Sequence, residues 1–207
     1  MRVCEMFRSV QGEGAMIGTV TYFIRSSGCN LSCEWCDTKY SSSGGDELSV
    51  DEIMKLVKNE RNICVTGGEP LLQSDIYDLL DALLDAGKKI VLETNGSVDI
   101  SDVPENRDLM ISMDIKCPSS GMSDKMLLSN LDHLKVTDQL KFVISDGSDL
   151  EYAVEFIDDH EPICSVIFTP VGGMDIEPLA EEVIERGMNV RVLPQLHKMI
   201  WGEKRGV

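Results

Sequence analysis

Residues 19–38, TVTYFIRSSGCNLSCEWCDT, decide how the rest of the chain is read. Thr19 to Arg25 is β-branched and aromatic, the composition of a strand inside a sheet. The loop that follows places Cys29, Cys33 and Cys36 in a C-x3-C-x2-C spacing at that strand's carboxyl end, where βα folds carry their chemistry. Three thiolates on one short loop can hold three corners of an iron–sulfur cube. Without a fourth protein ligand, one iron stays open to a bound molecule. A structural zinc knuckle competes with this reading, but such sites close with four Cys or His ligands and paired C-x2-C elements, and no His precedes His133. Disulfides fit poorly with seven cysteines and no secretory segment.

Outward from this stretch, apolar β-branched runs alternate with helix-period segments, the pattern of repeated βα units. Val3 to Phe7 is a short extended start. Ser49 and Glu52 form an N-terminal box for a helix reaching about Asn59. Ile63 to Thr66 is a buried strand ending in Gly67-Gly68-Glu69-Pro70, followed by a helix from Ile76 closed by Gly87. Further strands are expected at 89–94, 109–114, 139–144, 164–169 and 189–192, with helices at 150–158 and 176–186. Six or seven parallel strands fall short of the eight in a full barrel. The expected fold is therefore α/β, a partial (incomplete) parallel βα barrel of about six core strands. A doubly wound sheet is the alternative, but no G-x-G-x-x-G follows the first strand. Residues 1–207 read as one domain, with a substrate-capping N-terminal segment and a C-terminal tail.

A formal charge of −17, from 36 acidic and 19 basic side chains, repels phosphate backbones and argues against nucleic acid as a partner. No run of about 18 apolar residues suggests a membrane span. A cytoplasmic location is expected, where clustered cysteines are ligands more often than disulfides.

The cysteine triad, joined to Gly67-Gly68-Glu69-Pro70 at the end of the next core strand, resembles the radical S-adenosylmethionine enzymes. The resemblance implies a [4Fe-4S] cluster on Cys29, Cys33 and Cys36. S-adenosyl-L-methionine would be held by the open iron and cleaved to a 5′-deoxyadenosyl radical. It places Trp35, Asp37, Gly67, Gly68, Glu69, Glu93, Asn95, Asp114 and Lys116 around that cofactor. The plain readings are a tight turn for Gly67-Gly68 and loop capping for the strand-end polar residues.

Val10-Gln11-Gly12-Glu13-Gly14, Arg25, Cys36-Asp37-Thr38, Thr66, Pro118 to Met122 and Pro194-Gln195-Leu196-His197-Lys198 extend the resemblance to the 7-carboxy-7-deazaguanine synthase family over the full length. This implies conversion of 6-carboxy-5,6,7,8-tetrahydropterin to 7-carboxy-7-deazaguanine with loss of ammonia, on the route to queuosine or archaeosine. The expected substrate contacts are Gln11, Gly12, Glu13, Arg25, Thr66, His197 and Val207. A carboxylate and an amide suit a pterin's N–H edge, and an Arg fork suits its carboxylate or ring oxygen. Thr38 is the expected Mg2+ ligand. A flavodoxin or ferredoxin would supply electrons, and a homodimer is the expected assembly. Two other readings stay open: an activase for a glycyl-radical enzyme, which also uses C-x3-C-x2-C and acts on a protein partner, and a non-catalytic iron–sulfur module.

Overall fold

A computed structural model describes all 207 residues. Nine strands form one sheet in the order β3-β1-β2-β4-β5-β6-β7-β8-β9. They are β1 (Arg2–Val10), β2 (Val20–Ser26), β3 (Asp46–Glu47), β4 (Asn62–Gly67), β5 (Lys89–Thr94), β6 (Leu109–Ile115), β7 (Gln139–Ile144), β8 (Ser165–Pro170) and β9 (Arg191–Val192). From β2 through β4 to β9 every neighbouring pair is parallel. β3 and β9 remain unpaired edges, so the sheet is an incomplete barrel. The short extended start expected at Val3–Phe7 is instead a nine-residue strand, antiparallel to β2, with Phe7 opposite Phe23 and Glu5 opposite Arg25.

Period-two alternation divides the parallel strands into two faces. Ile24, Ile63, Val65, Ile90, Leu92, Ile111, Met113, Leu140, Phe142 and Phe168 belong to the main hydrophobic core. It is shared with helices α1 (Val50–Leu56), α2 (Ile76–Asp85), α3 (Gly147–His160) and α4 (Glu177–Glu185). The opposite face carries a small apolar floor of Phe23, Cys64 and Val91. One step further along the same strands lie polar residues: Arg25, Thr66, Glu93, Asp114 and Lys141. The alternation therefore puts fat outside and chemistry inside.

The helix ends follow from local chemistry. The Ser49 hydroxyl accepts from the Glu52 N–H while the Glu52 carboxylate takes the Ser49 N–H, a reciprocal cap contributing about 1 kcal/mol. Beyond the other end of α1, the buried Lys88 ammonium donates to the carbonyls of Val57, Lys58 and Glu60. α1 therefore stops at Leu56, short of the expected Asn59. Gly87 adopts φ +68° after α2, a conformation that lets the chain turn back into β5. α3 starts at Gly147 rather than Leu150, because Asp146 accepts from the N–H groups of Ser148 and Asp149.

Two connections carry no α-helix, contrary to a strict βα repeat. Between β5 and β6, and between β6 and β7, buried polar side chains replace the missing ladder. Asn130 accepts from Ile100 N–H and donates to the carbonyls of Gly96 and Val98, and Asp138 accepts from Ile111 and Lys135 N–H. Such hubs satisfy backbone groups that irregular loops would otherwise bury unpaired.

A six-residue helix near the end of the chain, α5 (Leu196–Trp201), leads into the C-terminal tail. No helix is long and apolar enough to cross a membrane.

Candidate active site

The carboxyl ends of the parallel strands open into one cavity of about 300 Å3. Three groups of residues meet there. From the loop after β2 come Cys29, Cys33, Trp35, Cys36, Asp37 and Thr38; from the strand ends come Arg25, Thr66, Gly67, Gly68, Glu93, Asn95, Asp114 and Lys116. The third group is Gln11, Gly12 and Glu13 with the distant His197 and Val207. Of the residues expected at the site, the structure leaves only Glu69 out. Its carboxylate is wholly buried and spent on Leu71 N–H (3.1 Å), Asn95 N–H (2.7 Å) and the Thr94 hydroxyl (3.0 Å). Within the chain it braces the end of β4 against the end of β5. Burial raises its pKa to about 7 against the pull of those three bonds.

The cysteine loop is suited to an iron–sulfur cluster. All three thiols are free and face the same cavity. Leu31 N–H (3.4 Å) and the Asn95 amide (3.7 Å) donate to Cys29 Sγ, as donors do to cluster-bound sulfur. Burial pushes the Cys33 thiol up, Lys116 pulls it down, and the neighbouring Cys36 and Cys29 push it up again. Bound iron would offset that repulsion with its positive charge as the thiols lose their protons. Gly68 presses on this loop: a Cβ there would sit 2.2 Å from the Gly28 carbonyl oxygen and 2.8 Å from Cys29 Cβ. The Gly-Gly pair thus lines the cavity and also lets β4 approach the cysteines. The Thr38 hydroxyl lies 3.7 Å from Cys36 Sγ, at the cavity edge.

Arg25 is held by two neighbours that sequence reasoning missed. Its Nε donates to Glu5 (2.8 Å), which also accepts from the Tyr40 hydroxyl (2.8 Å), and its guanidinium lies over the Phe7 ring. Phe7 in turn stacks on Phe23. Arg205 from the tail covers the other aromatic, Tyr40. The signal for Glu5 was available in principle, since the β1–β2 register sets it opposite Arg25.

The other missed residue is Lys141. Its buried ammonium lies 2.6 Å from Glu93, 3.1 Å from Glu13 and 3.4 Å from Asp114. Burial would lower its pKa, but the three carboxylates outweigh that and hold it well above the ordinary lysine value. Glu13 is likewise opposed by burial and rescued by Lys141, His197 and Gln195, which hold it down at about 2. For Glu93, burial wins and the pKa is raised. Breaking such a buried cluster by deleting one charge costs about 3–5 kcal/mol. A Lys inside the otherwise apolar strand QLKFVI was the only sequence signal.

His197 and the carboxylates of Glu13 and Asp37 come within 4.8 Å of one another. Both Glu13 oxygens already accept protein hydrogen bonds, from Lys141 (3.1 Å) and Gln195 (2.7 Å), and Lys198 lies 3.9 Å from Asp37. This trio therefore forms a salt-linked rim.

Comparison with known proteins agrees with this geometry. Residues 23–125 match the radical SAM superfamily. A 7-carboxy-7-deazaguanine synthase of Thermoplasma acidophilum is 42% identical over 209 residues, with both chains covered completely. One from Methanospirillum hungatei is 43% identical over 204 residues, covering 97% of this chain and 85% of its own. The chain belongs to the 7-carboxy-7-deazaguanine synthase family. A crystal structure of QueE from Escherichia coli shares the fold at TM-score 0.75, with 22% identity and 93% of each chain covered. The expectation of an incomplete radical SAM barrel holds, and family membership favours the enzyme reading over a non-catalytic module.

Proposed function

We propose that this chain converts 6-carboxy-5,6,7,8-tetrahydropterin to 7-carboxy-7-deazaguanine and ammonia, and that the residues around the cavity divide the work as follows. Cys29, Cys33 and Cys36 hold a [4Fe-4S] cluster. Trp35, Asp37, Gly67, Gly68, Glu93, Asn95, Asp114 and Lys116 surround S-adenosylmethionine. Gln11, Gly12, Glu13, Arg25, Thr66, His197 and Val207 bind the pterin. When bound, the cluster and S-adenosylmethionine supply the radical that starts the reaction; the protein supplies orientation and exclusion of water.

The observation that carries this reading is the meeting of all three groups in one cavity, whose lining also includes the tail from Gly202 to Val207. Gln11 and Glu13 offer amide and carboxylate groups to an N–H edge, and Arg25, fixed by Glu5 and Phe7, offers its free guanidinium nitrogens to an anionic oxygen. Thr38 is our candidate Mg2+ ligand, a hard oxygen donor at the cavity edge. A flavodoxin or ferredoxin as electron donor, a homodimeric assembly and a cytoplasmic location complete the proposal. A cavity of this size suits a small molecule better than the protein partner an activase requires.

The test is an anaerobic assay with reconstituted protein, a reductant, S-adenosylmethionine, Mg2+ and the tetrahydropterin, read by mass spectrometry. The expected result is 7-carboxy-7-deazaguanine in the wild type and none in Cys33→Ala. Deoxyadenosine without that product would retain the radical chemistry and overturn the pterin assignment.

A further inference from the structure

Lys141 is the cation common to three carboxylates from three different segments: Glu13 after β1, Glu93 on β5 and Asp114 on β6. The three do not depend on it equally. Asp114 has its own cation in Lys116 at 2.7 Å, and Glu93 also accepts from the Ser112 hydroxyl (2.8 Å) and the Gln11 amide (3.3 Å). Glu13 accepts hydrogen bonds only from Lys141 and the Gln195 amide, with His197 within 4.8 Å. One oxygen of Glu13 faces each donor, which fixes the carboxylate plane and leaves lone pairs on both oxygens. Beside it, the buried Gln195 Oε1 has no hydrogen-bond partner. The free lone pairs of Glu13 on the cavity wall are the complement of a ligand edge made of N–H groups.

We infer that Lys141 is the positioning residue of the substrate site, holding Glu13 charged and oriented to accept from the N–H edge of the bound pterin. This rests on the substrate reading above. Lys141 reaches the site because β7 alternates, with Leu140, Phe142 and Ile144 packed in the helix-side core and Lys141 turned to the cavity. The ionisable groups around the pair are Glu93, Asp114 and Lys116 from β5, β6 and the β6 exit, Cys64 on β4, Asp37 on the cysteine loop and His197 on α5. Arg25 is engaged by Glu5 and stays outside the group. Without Lys141, Glu13 would keep only the Gln195 amide as a hydrogen-bond donor, and its burial would then favour the protonated form.

The test uses anaerobic, cluster-reconstituted enzyme with S-adenosylmethionine and follows binding of oxidised pterin-6-carboxylate by its fluorescence. Lys141→Met is expected to bind about tenfold more weakly at pH 7 and about tenfold more weakly again at pH 5, because a protonated Glu13 no longer accepts from both N–H groups. Wild type and Lys141→Arg are expected to show no such fall toward pH 5. A folded Lys141→Met protein that binds like wild type, or loses the same factor at both pH values, would overturn the role. If Lys141→Met does not fold, Lys141→Arg decides: a folded protein whose binding falls toward pH 5 would overturn it. Wild type that binds no pterin would overturn the substrate reading together with this role, whereas bound pterin with an indifferent Lys141→Met protein overturns the role alone.

Discussion

The cysteine loop and the Glu13 wall lie in one cavity but are built in opposite ways. The loop draws its three thiols from eight consecutive residues, Cys29 to Cys36. The wall assembles Glu13, Lys141 and Gln195, whose hydrogen bonds span 128 and 182 positions of chain. A local site is set by spacing and survives almost any surrounding fold; a site gathered from distant segments exists only once the sheet and tail are in place. Substitutions on the two sides should therefore fail differently.

The largest effect is expected on the loop. Cys33→Ala should abolish both deoxyadenosine and deazaguanine formation, a loss of at least about 1000-fold, together with the cluster's visible absorbance. Gly68→Ala comes next. Its new Cβ meets the Gly28 carbonyl at 2.2 Å, and the forced shift should destabilise the protein by about 1–3 kcal/mol in denaturant titration and weaken S-adenosylmethionine binding.

On the wall, Gly12→Ala would place a Cβ 2.2 Å from His197 Nδ1 and push the imidazole aside. The expected outcome is a KM for the pterin raised about tenfold, with deoxyadenosine formation in the absence of pterin unchanged. Loss of that background cleavage as well would erase the division between the two sides.

Glu69, the buried brace, bears on stability rather than on turnover. Its folded pKa of about 7 lies above the ordinary carboxylate range, so it stabilises the fold fully at low pH, and that contribution is lost as pH rises toward and through 7. Thermal melts of the apoprotein should show Glu69→Gln removing up to about 3 kcal/mol of this pH dependence between pH 5 and 8. An unchanged pH dependence would show that the three donors to Glu69 outweigh its burial.

The same contrast explains what could be read from the sequence. Strand positions, the α2 stop at Gly87 and the Ser49–Glu52 cap are written in neighbouring residues and were legible, as was the cysteine spacing. The bracing bonds of Glu69 were not legible, because a motif says which residues recur together and says nothing of which way each side chain turns. Lys141 went unnoticed because its partners lie on two other strands and a loop, and a charged residue in an apolar strand does not announce them. The helix-free connections escaped for a related reason: Asn130 and Asp138 act through backbone groups of other segments, which no periodicity reports.

The β1–β2 hairpin has one more consequence. β1 stands outside the parallel succession, bordered on its far side only by the two-residue β3, yet it carries Glu5 and leads into Gln11–Glu13. β1 is therefore an addition at the edge of the parallel sheet. The turn after it can lengthen or change its side chains, and so reshape that wall of the cavity, while the parallel strands keep their register.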